Sequence, residues 1–187
     1  MSPYPLRAGR KNIIEAARLL IEQEGVEELS LAKLANAVGV KAPSLYKHIK
    51  NKESLLHAVI EATYQNLFTA YDQALQNSGA TAEERILALS DAHYQFAHAN
   101  PNTYVLAYST IEPEQFSDTD LLLKQAVQVQ DIVSEIAGET NSLTAYRGLL
   151  ALTHGFVMLE LNGQFRRGGD LQQTLRDAVH AYLHGWH

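Results

Sequence analysis

Apolar residues recur every three or four positions along most of this 187-residue chain, and no stretch shows the sustained alternation of a half-buried strand. This spacing gives each predicted helix one apolar face, so it predicts an all-α fold. Glycine and proline mark helix ends: Gly25 follows a first helix predicted over 8–24, and Asn100-Pro101 ends a helix predicted over 82–99. The chain is therefore predicted to be a series of helices with short connections.

Residues that cap helices predict further helix starts, because their side chains accept hydrogen bonds from the first backbone amides. The predicted caps are Ser30, Asn51, Thr81 and Asp170. Apolar spacing predicts a long helix over 52–76, and Pro43 suits the first turn of a short helix over 43–48. The remaining apolar patterns predict helices over 31–38, 101–109, 122–136, 149–163 and 171–186, with a loop over 112–117.

The net charge of -6 conceals opposite charges in two parts of the chain. Residues 1–60 carry a net charge of +3 and residues 61–187 a net charge of -9. A positive N-terminal third on a negative body suggests a polyanion that touches only that third. The longest apolar run, Tyr104 to Tyr108, is far shorter than the roughly 18 residues of a membrane span. With no cysteine and no apolar secretory segment, we expect a cytoplasmic protein without membrane contact.

The segment from Ser30 to Lys52 is the most specific signal in the sequence. A short helix, a turn at Gly39-Val40 and a second short helix are the arrangement that places one helix across a DNA backbone and the next in the major groove. Gly39 permits the positive φ of such a turn. Lys52 is a cation in the first turn of the next helix, where it opposes the helix dipole unless a phosphate binds at the same end.

The stretch SLAKLANAVGVKAPSLYKHIKNKESLL, residues 30–56, resembles the DNA-binding domain of the TetR family of bacterial transcriptional regulators. The resemblance covers about residues 8–60. It implies a three-helix helix-turn-helix DNA-binding domain over 1–51, joined by a long helix to a larger helical effector-binding and dimerisation domain over 52–187. Residues 145–186 resemble a C-terminal subgroup named for a Trp-His-Gly triplet, although Thr153 replaces the tryptophan.

The resemblance also implies a function and a set of DNA contacts. The protein is expected to be a homodimeric, ligand-responsive repressor that a small molecule releases from a palindromic double-stranded DNA operator. Ala42, Pro43 and Ser44 are expected to face base edges, and Ser30 to cap its helix and offer a backbone amide to DNA. The phosphate contacts that it implies are Tyr46, Lys47, His48 and Lys52, and Lys41 adds a further cation. A half-buried core position is the alternative interpretation of Tyr46.

The second domain contains many aromatic residues with polar tips, which are typical of small-molecule pockets. The predicted effector residues are His93, Tyr104, Tyr108 and His154, and the alternative is that they fill the core. The helix over 149–163 carries apolar residues on more than one face, which predicts that another subunit covers it. The predicted dimer residues are Phe156, Leu159, Leu175 and Val179.

His180 and His184 lie one helical turn apart and can in principle hold a metal ion. Without a third ligand, solvated or interface histidines are the better interpretation, so neither a metal nor a cofactor is predicted. The sequence also lacks the HExxH, GxGxxG, GxxxxGK and GxSxG motifs, and no enzymatic activity is predicted. A helical enzyme and a protein-interaction adaptor remain as alternatives, and steep salt dependence of duplex binding distinguishes a DNA-binding regulator from both.

Overall fold

The computed structural model describes residues 9–109 and 119–186, and every regular element within these ranges is helical. The α-helices are α1 (Arg10–Glu24), α2 (Leu31–Ala37), α3 (Ala42–Leu45), α4 (Lys52–Asn77), α5 (Ala82–Ala99), α6 (Pro101–Ser109), α7 (Thr119–Ala137), α8 (Ser142–Leu161) and α9 (Leu171–His184). The predicted all-α class is confirmed, whereas the loop predicted over 112–117 lies outside the described residues. Within the described ranges, no helix is both long and apolar enough to cross a membrane.

The four predicted helix caps are all formed. In each case the side-chain oxygen accepts a hydrogen bond from the backbone amide three residues later, at 3.2 Å for Ser30, 2.7 Å for Asn51, 3.2 Å for Thr81 and 2.9 Å for Asp170. The starts of α2, α4, α5 and α9 are therefore set by local sequence. The helices α7 and α8 begin earlier than apolar spacing predicted, and the residue before α8, Asn141, makes no side-chain capping bond.

Packing divides the chain into two compact units. Within the described chain, the first unit comprises residues 9–66 and 100–109, which include α1, α2, α3, the first part of α4, and α6. Its core contains the fully buried side chains of Ile13, Ile21, Leu34, Leu45 and Leu55. Burial of each such side chain contributes about 1.5–3 kcal/mol to the stability of the unit.

Hydrogen bonds to Glu22 connect α6 to α1 within the first unit. The Glu22 carboxylate accepts hydrogen bonds from the backbone amides of Asn102 at 2.8 Å and Thr103 at 3.0 Å, and from the Thr103 hydroxyl at 2.8 Å. These amides lie in the first turn of α6, where no carbonyl of the helix is available to accept from them. A negative side chain at this end also interacts favourably with the helix dipole.

The second unit comprises residues 67–99 and 119–186 of the described chain. In this unit α5 packs against α7, α8 and α9, and α8 packs against α7 and α9. The apolar face of α9 lies against its own unit, because Leu175, Val179 and Leu183 are buried. The helix α4 contributes residues 52–66 to the first unit and 67–77 to the second, and the predicted division of roles at Asn51 and Lys52 stays a prediction.

Candidate functional sites

The helix-turn-helix segment lies in the first unit, and its turn is the one that the sequence predicted. Gly39 has a φ of +69°, a left-handed conformation that glycine adopts without strain. The amide of Val40 donates to the Ala35 carbonyl at 2.9 Å, which closes the turn after α2. Leu45 and Ile49 are buried on the inner side of the segment that follows. The inner face of α3 is thereby fixed, and its outer face is left to solvent.

The predicted DNA-contacting residues lie on and around α3, with Ser30 at the start of α2. Ala42 and Ser44 are half-buried, and the exposed members of the set are Ser30, Lys41, Pro43, Tyr46, Lys47, His48 and Lys52. Tyr46 is 59% exposed, so most of its side chain lies outside the core of the first unit. Its exposure argues against the interpretation of Tyr46 as a half-buried core residue.

Lysines of the positive N-terminal third differ in whether a carboxylate lies beside them. The Nζ atom of Lys33 lies 2.9 Å from a carboxylate oxygen of Glu24 and 2.7 Å from one of Glu28. The hydrogen bond to Glu28, followed by the one to Glu24, raises the pKa of Lys33. Lys33 thus belongs to an ion-pair network of the first unit. The exposed lysines at α3 and at the start of α4 are Lys41, Lys47, Lys50 and Lys52.

The start of α4 is held by a reciprocal cap. The Asn51 side chain accepts from the Ser54 amide at 2.7 Å, and the Ser54 hydroxyl accepts from the Asn51 amide at 3.1 Å. This arrangement fixes the first turn of α4 and makes the exposed Lys52 its first residue. The helix N-terminus and Lys52 are each suited to a phosphate group, and the exposed Glu53 in the same turn adds a negative charge beside them.

The four predicted effector residues fall into two pairs. His93 and His154 lie in the second unit, whereas Tyr104 and Tyr108 lie in the first. The ring centroid of Tyr108 lies 4.7 Å from that of Tyr104 and 5.5 Å from that of Tyr64 on α4. Tyr104 is completely buried, and this burial raises the pKa of its phenol. The two tyrosines therefore pack in the core of the first unit, and their predicted contact with an effector stays a prediction.

His93 is the buried polar centre of the second unit. Its Nδ1 atom lies 2.5 Å from the hydroxyl oxygen of Tyr71 on α4, and the side chain is 2% exposed. Burial and, secondarily, the nearby His154 lower the pKa of His93 to about 3, and burial also lowers the pKa of His154. Both imidazoles are neutral at neutral pH, so they offer hydrogen-bond donors and acceptors without charge. Tyr71 was missed in the sequence, because no local pattern links it to His93.

We expect the buried His93 to make the protein less stable in mild acid. In the unfolded chain its pKa is about 6.5, so between about pH 6.5 and about pH 3 the unfolded state binds the proton that the folded state excludes. As the pH is lowered through this window, the free energy of unfolding should therefore decrease by up to about 1.4 kcal/mol per pH unit. Urea unfolding at about pH 7 and about pH 5 should give a smaller decrease for His93→Gln than for the wild type. Equal decreases in the two proteins would contradict the assignment of this pH dependence to His93.

A second polar cluster joins α5 to α8 through Glu160. The Glu160 carboxylate accepts from the Tyr94 hydroxyl at 2.8 Å and lies 3.2 Å from Nε2 of His98. Desolvation and, to a smaller extent, the hydrogen bond to Glu160 raise the pKa of Tyr94 to about 12. Glu160 therefore has polar partners within the second unit of its own chain.

The predicted dimer residues differ in their exposure. Leu159 is 47% exposed, and Phe156 is half-buried with its ring 4.7 Å from that of Phe165. Leu175 and Val179 are 1% and 0% exposed, so they cannot contact a partner subunit, and their prediction is corrected. The physical reason is that α5 and α8 of the same chain cover the apolar face of α9. In the described residues, the large aliphatic side chains that remain exposed lie on α7 and α8: Leu123, Val127, Leu143, Leu150 and Leu159.

Comparison with known proteins gives two family matches. The family described as bacterial regulatory proteins, tetR family, matches residues 13–59, and the tetracyclin repressor-like C-terminal domain matches residues 86–182. These matches do not confirm the Trp-His-Gly subgroup.

Two regulators and one solved structure are also similar to this chain. The chain is similar to the HTH-type transcriptional regulator YobS of Bacillus subtilis (strain 168), with 29% identity over 180 residues, 94% of this chain and 91% of YobS. It is 42% identical over 53 residues to the class D tetracycline repressor of Escherichia coli, which covers 28% of this chain and 24% of that protein. A solved structure of a protein with unknown function from Rhodococcus sp. RHA1 has a TM-score of 0.84 at 24% identity, covering 100% and 99% of the two chains.

Proposed function

The chain belongs to the TetR family of bacterial regulatory proteins, and on this premise we propose that it is a homodimeric, cytoplasmic repressor of transcription. A small molecule bound in the effector domain releases it from a palindromic DNA operator. The exposed surface around α3 gives the main support, since Tyr46 is 59% exposed directly after a helix whose inner face is buried. No specific observation favours the alternatives of a helical enzyme or an adaptor.

In the proposed complex α3 enters the major groove. Ala42, Pro43 and Ser44 lie in this helix and face the base edges. Because the side chain of Ala42 is a single methyl group, it contacts a thymine methyl and does not form a bidentate hydrogen-bonded pair. Tyr46, Lys47, His48 and Lys52 bind phosphates, as does the backbone amide of Ser30. In the homodimer two such helices meet major grooves about 34–36 Å apart, which requires a palindromic operator.

The proposed effector signal passes along α4. His93 contacts Tyr71 on α4, and Tyr108 packs against Tyr64 on the same helix. One member of each pair of predicted effector residues therefore contacts the helix that begins at Lys52, a proposed phosphate contact. A ligand that binds more tightly to the conformation that DNA disfavours shifts the population away from DNA binding, and the coupling is reciprocal.

The proposed DNA contacts are tested by salt dependence. Duplexes selected from a random pool provide the operator, and fluorescence anisotropy measures affinity as a function of salt. We expect the logarithm of the affinity to fall steeply with the logarithm of salt, and Lys52→Ala to flatten the slope by about one. Lys124→Ala on α7 makes the same change in charge and should leave the slope unchanged. A shallow wild-type slope would favour the enzyme or adaptor alternatives.

The effector part of the proposal is tested by a melting-temperature screen of small molecules. A compound that binds the folded protein raises its melting temperature according to ligand concentration and affinity. A compound that also releases the selected operator is an effector in the proposed sense. His93→Gln should retain operator binding and lose most of the shift, since His93 is expected to contact the ligand. A ligand-induced change in melting temperature as large as that of the wild type would show that His93 does not contribute to the binding site.

A further inference from the structure

A histidine pair on α9 acquires a third candidate ligand in the folded chain. The Nε2 atom of His180 lies 3.0 Å from Oε1 of Glu83, in the first turn of α5, and 3.2 Å from Nε2 of His184. The Nε2 atom of His184 lies 4.0 Å from the same carboxylate oxygen. Two helices that are far apart in sequence thus bring one oxygen and two nitrogen atoms within 4.8 Å of one another.

These separations fit the edges of a metal coordination tetrahedron. With metal–ligand distances of about 2.0–2.2 Å, two ligand atoms of a tetrahedral zinc site lie roughly 3.3 Å apart. The observed separations of 3.0, 3.2 and 4.0 Å bracket this value. Imidazole nitrogen favours zinc and neighbouring transition metals, whereas magnesium and calcium prefer oxygen ligands throughout.

We propose that Glu83, His180 and His184 bind a divalent transition-metal ion, with zinc as the favoured occupant. Three protein ligands leave the fourth tetrahedral position to a water molecule. The three side chains are partly exposed, so the ion reaches them from solvent without opening the second unit. The bound metal links the first turn of α5 to the last two turns of α9. The site stands independently of the proposed effector and operator.

Titration of the tag-free, full-length protein tests the site. Zinc chloride is added in competition with a chromophoric chelator, which gives the stoichiometry and affinity of binding. Cobalt(II) serves as a second probe, because the intensity of its visible absorption distinguishes tetrahedral from octahedral coordination. We expect one metal ion per chain, tetrahedral cobalt absorption and a melting temperature that rises with zinc concentration.

Variants locate the bound metal. His180→Ala and His184→Ala should each lower zinc affinity at least about tenfold, since changes beyond the direct ligands already cost roughly 10–100-fold. Glu83→Gln keeps the size of the side chain and removes the anionic ligand, so it should lower the affinity as well. Asp177→Asn is the matched control, because it removes a negative charge from the exposed surface of α9 without removing a proposed ligand. Circular dichroism verifies that each variant is folded.

The outcomes distinguish a specific metal site from nonspecific attraction of cations to negative surface charge. Loss of affinity in the three ligand variants, with normal affinity in Asp177→Asn, supports the site. Absence of zinc binding by the wild type, or affinity unchanged in the ligand variants, overturns it. An equal loss in Asp177→Asn also overturns it, because negative surface charge then accounts for the binding.

Discussion

Replacing Tyr46 by alanine is expected to weaken binding to the selected operator by about 10- to 150-fold while leaving the dimer and the helix content unchanged. The effect on DNA is large because a hydrogen bond to a charged phosphate contributes about 1.5–3 kcal/mol. The effect on stability is small because the side chain is 59% exposed and buries little surface in the free protein. Fluorescence anisotropy measures the affinity, and circular dichroism measures the helix content.

A second substitution separates the hydroxyl group of Tyr46 from its ring. Tyr46→Phe removes only the hydrogen-bonding group, so it should reproduce most of the loss if the hydroxyl binds a phosphate. A loss confined to Tyr46→Ala would instead assign the contact to the ring. Unchanged affinity in both Tyr46→Ala and Lys52→Ala would refute the DNA-binding surface proposed around α3.

Replacing Leu159 by glutamate is expected to weaken the homodimer by roughly 100-fold or more. Each buried leucine contributes about 1.5–3 kcal/mol to an interface. In a two-fold symmetric dimer the substitution is present in both subunits, so the loss of binding free energy is doubled. Leu159 is 47% exposed and lies one helical turn after the half-buried Phe156, and exposed apolar patches are typical of subunit contacts. Sedimentation velocity over a range of concentrations measures the change. The monomers should also bind the operator weakly, because each presents only one recognition helix.

Two controls separate loss of the dimer from loss of the fold. Gln95→Glu adds the same charge at an exposed position of α5 and should leave the dimer intact. Leu175→Glu places the charge in the core of the second unit and should unfold it, because a buried unpaired charge is strongly destabilising. A Leu159→Glu dimer as stable as the wild type would move the interface to another surface, and a wild-type monomer at micromolar concentration would contradict the dimer itself.

The local sequence predicted much of the fold. The bonds that start a helix connect residues three apart, so Ser30, Asn51, Thr81 and Asp170 were identifiable as caps from the sequence alone. The turn at Gly39 was equally local, since its left-handed backbone depends on one glycine. The helices around Asn141 were harder to delimit, because that residue makes no side-chain capping bond and apolar spacing alone marks the core more clearly than it marks the ends.

By itself, the sequence determined the all-α class, the caps and the helix-turn-helix segment that resembles the TetR family. Only the tertiary structure decided that Leu175 is buried by its own chain, that His93 meets Tyr71, and that Glu83 lies beside the histidine pair of α9. The physical reason is that a helical period shows which face is apolar and which residues share it. It does not show which other helix covers that face. Contacts between residues far apart in sequence depend on which helix does so.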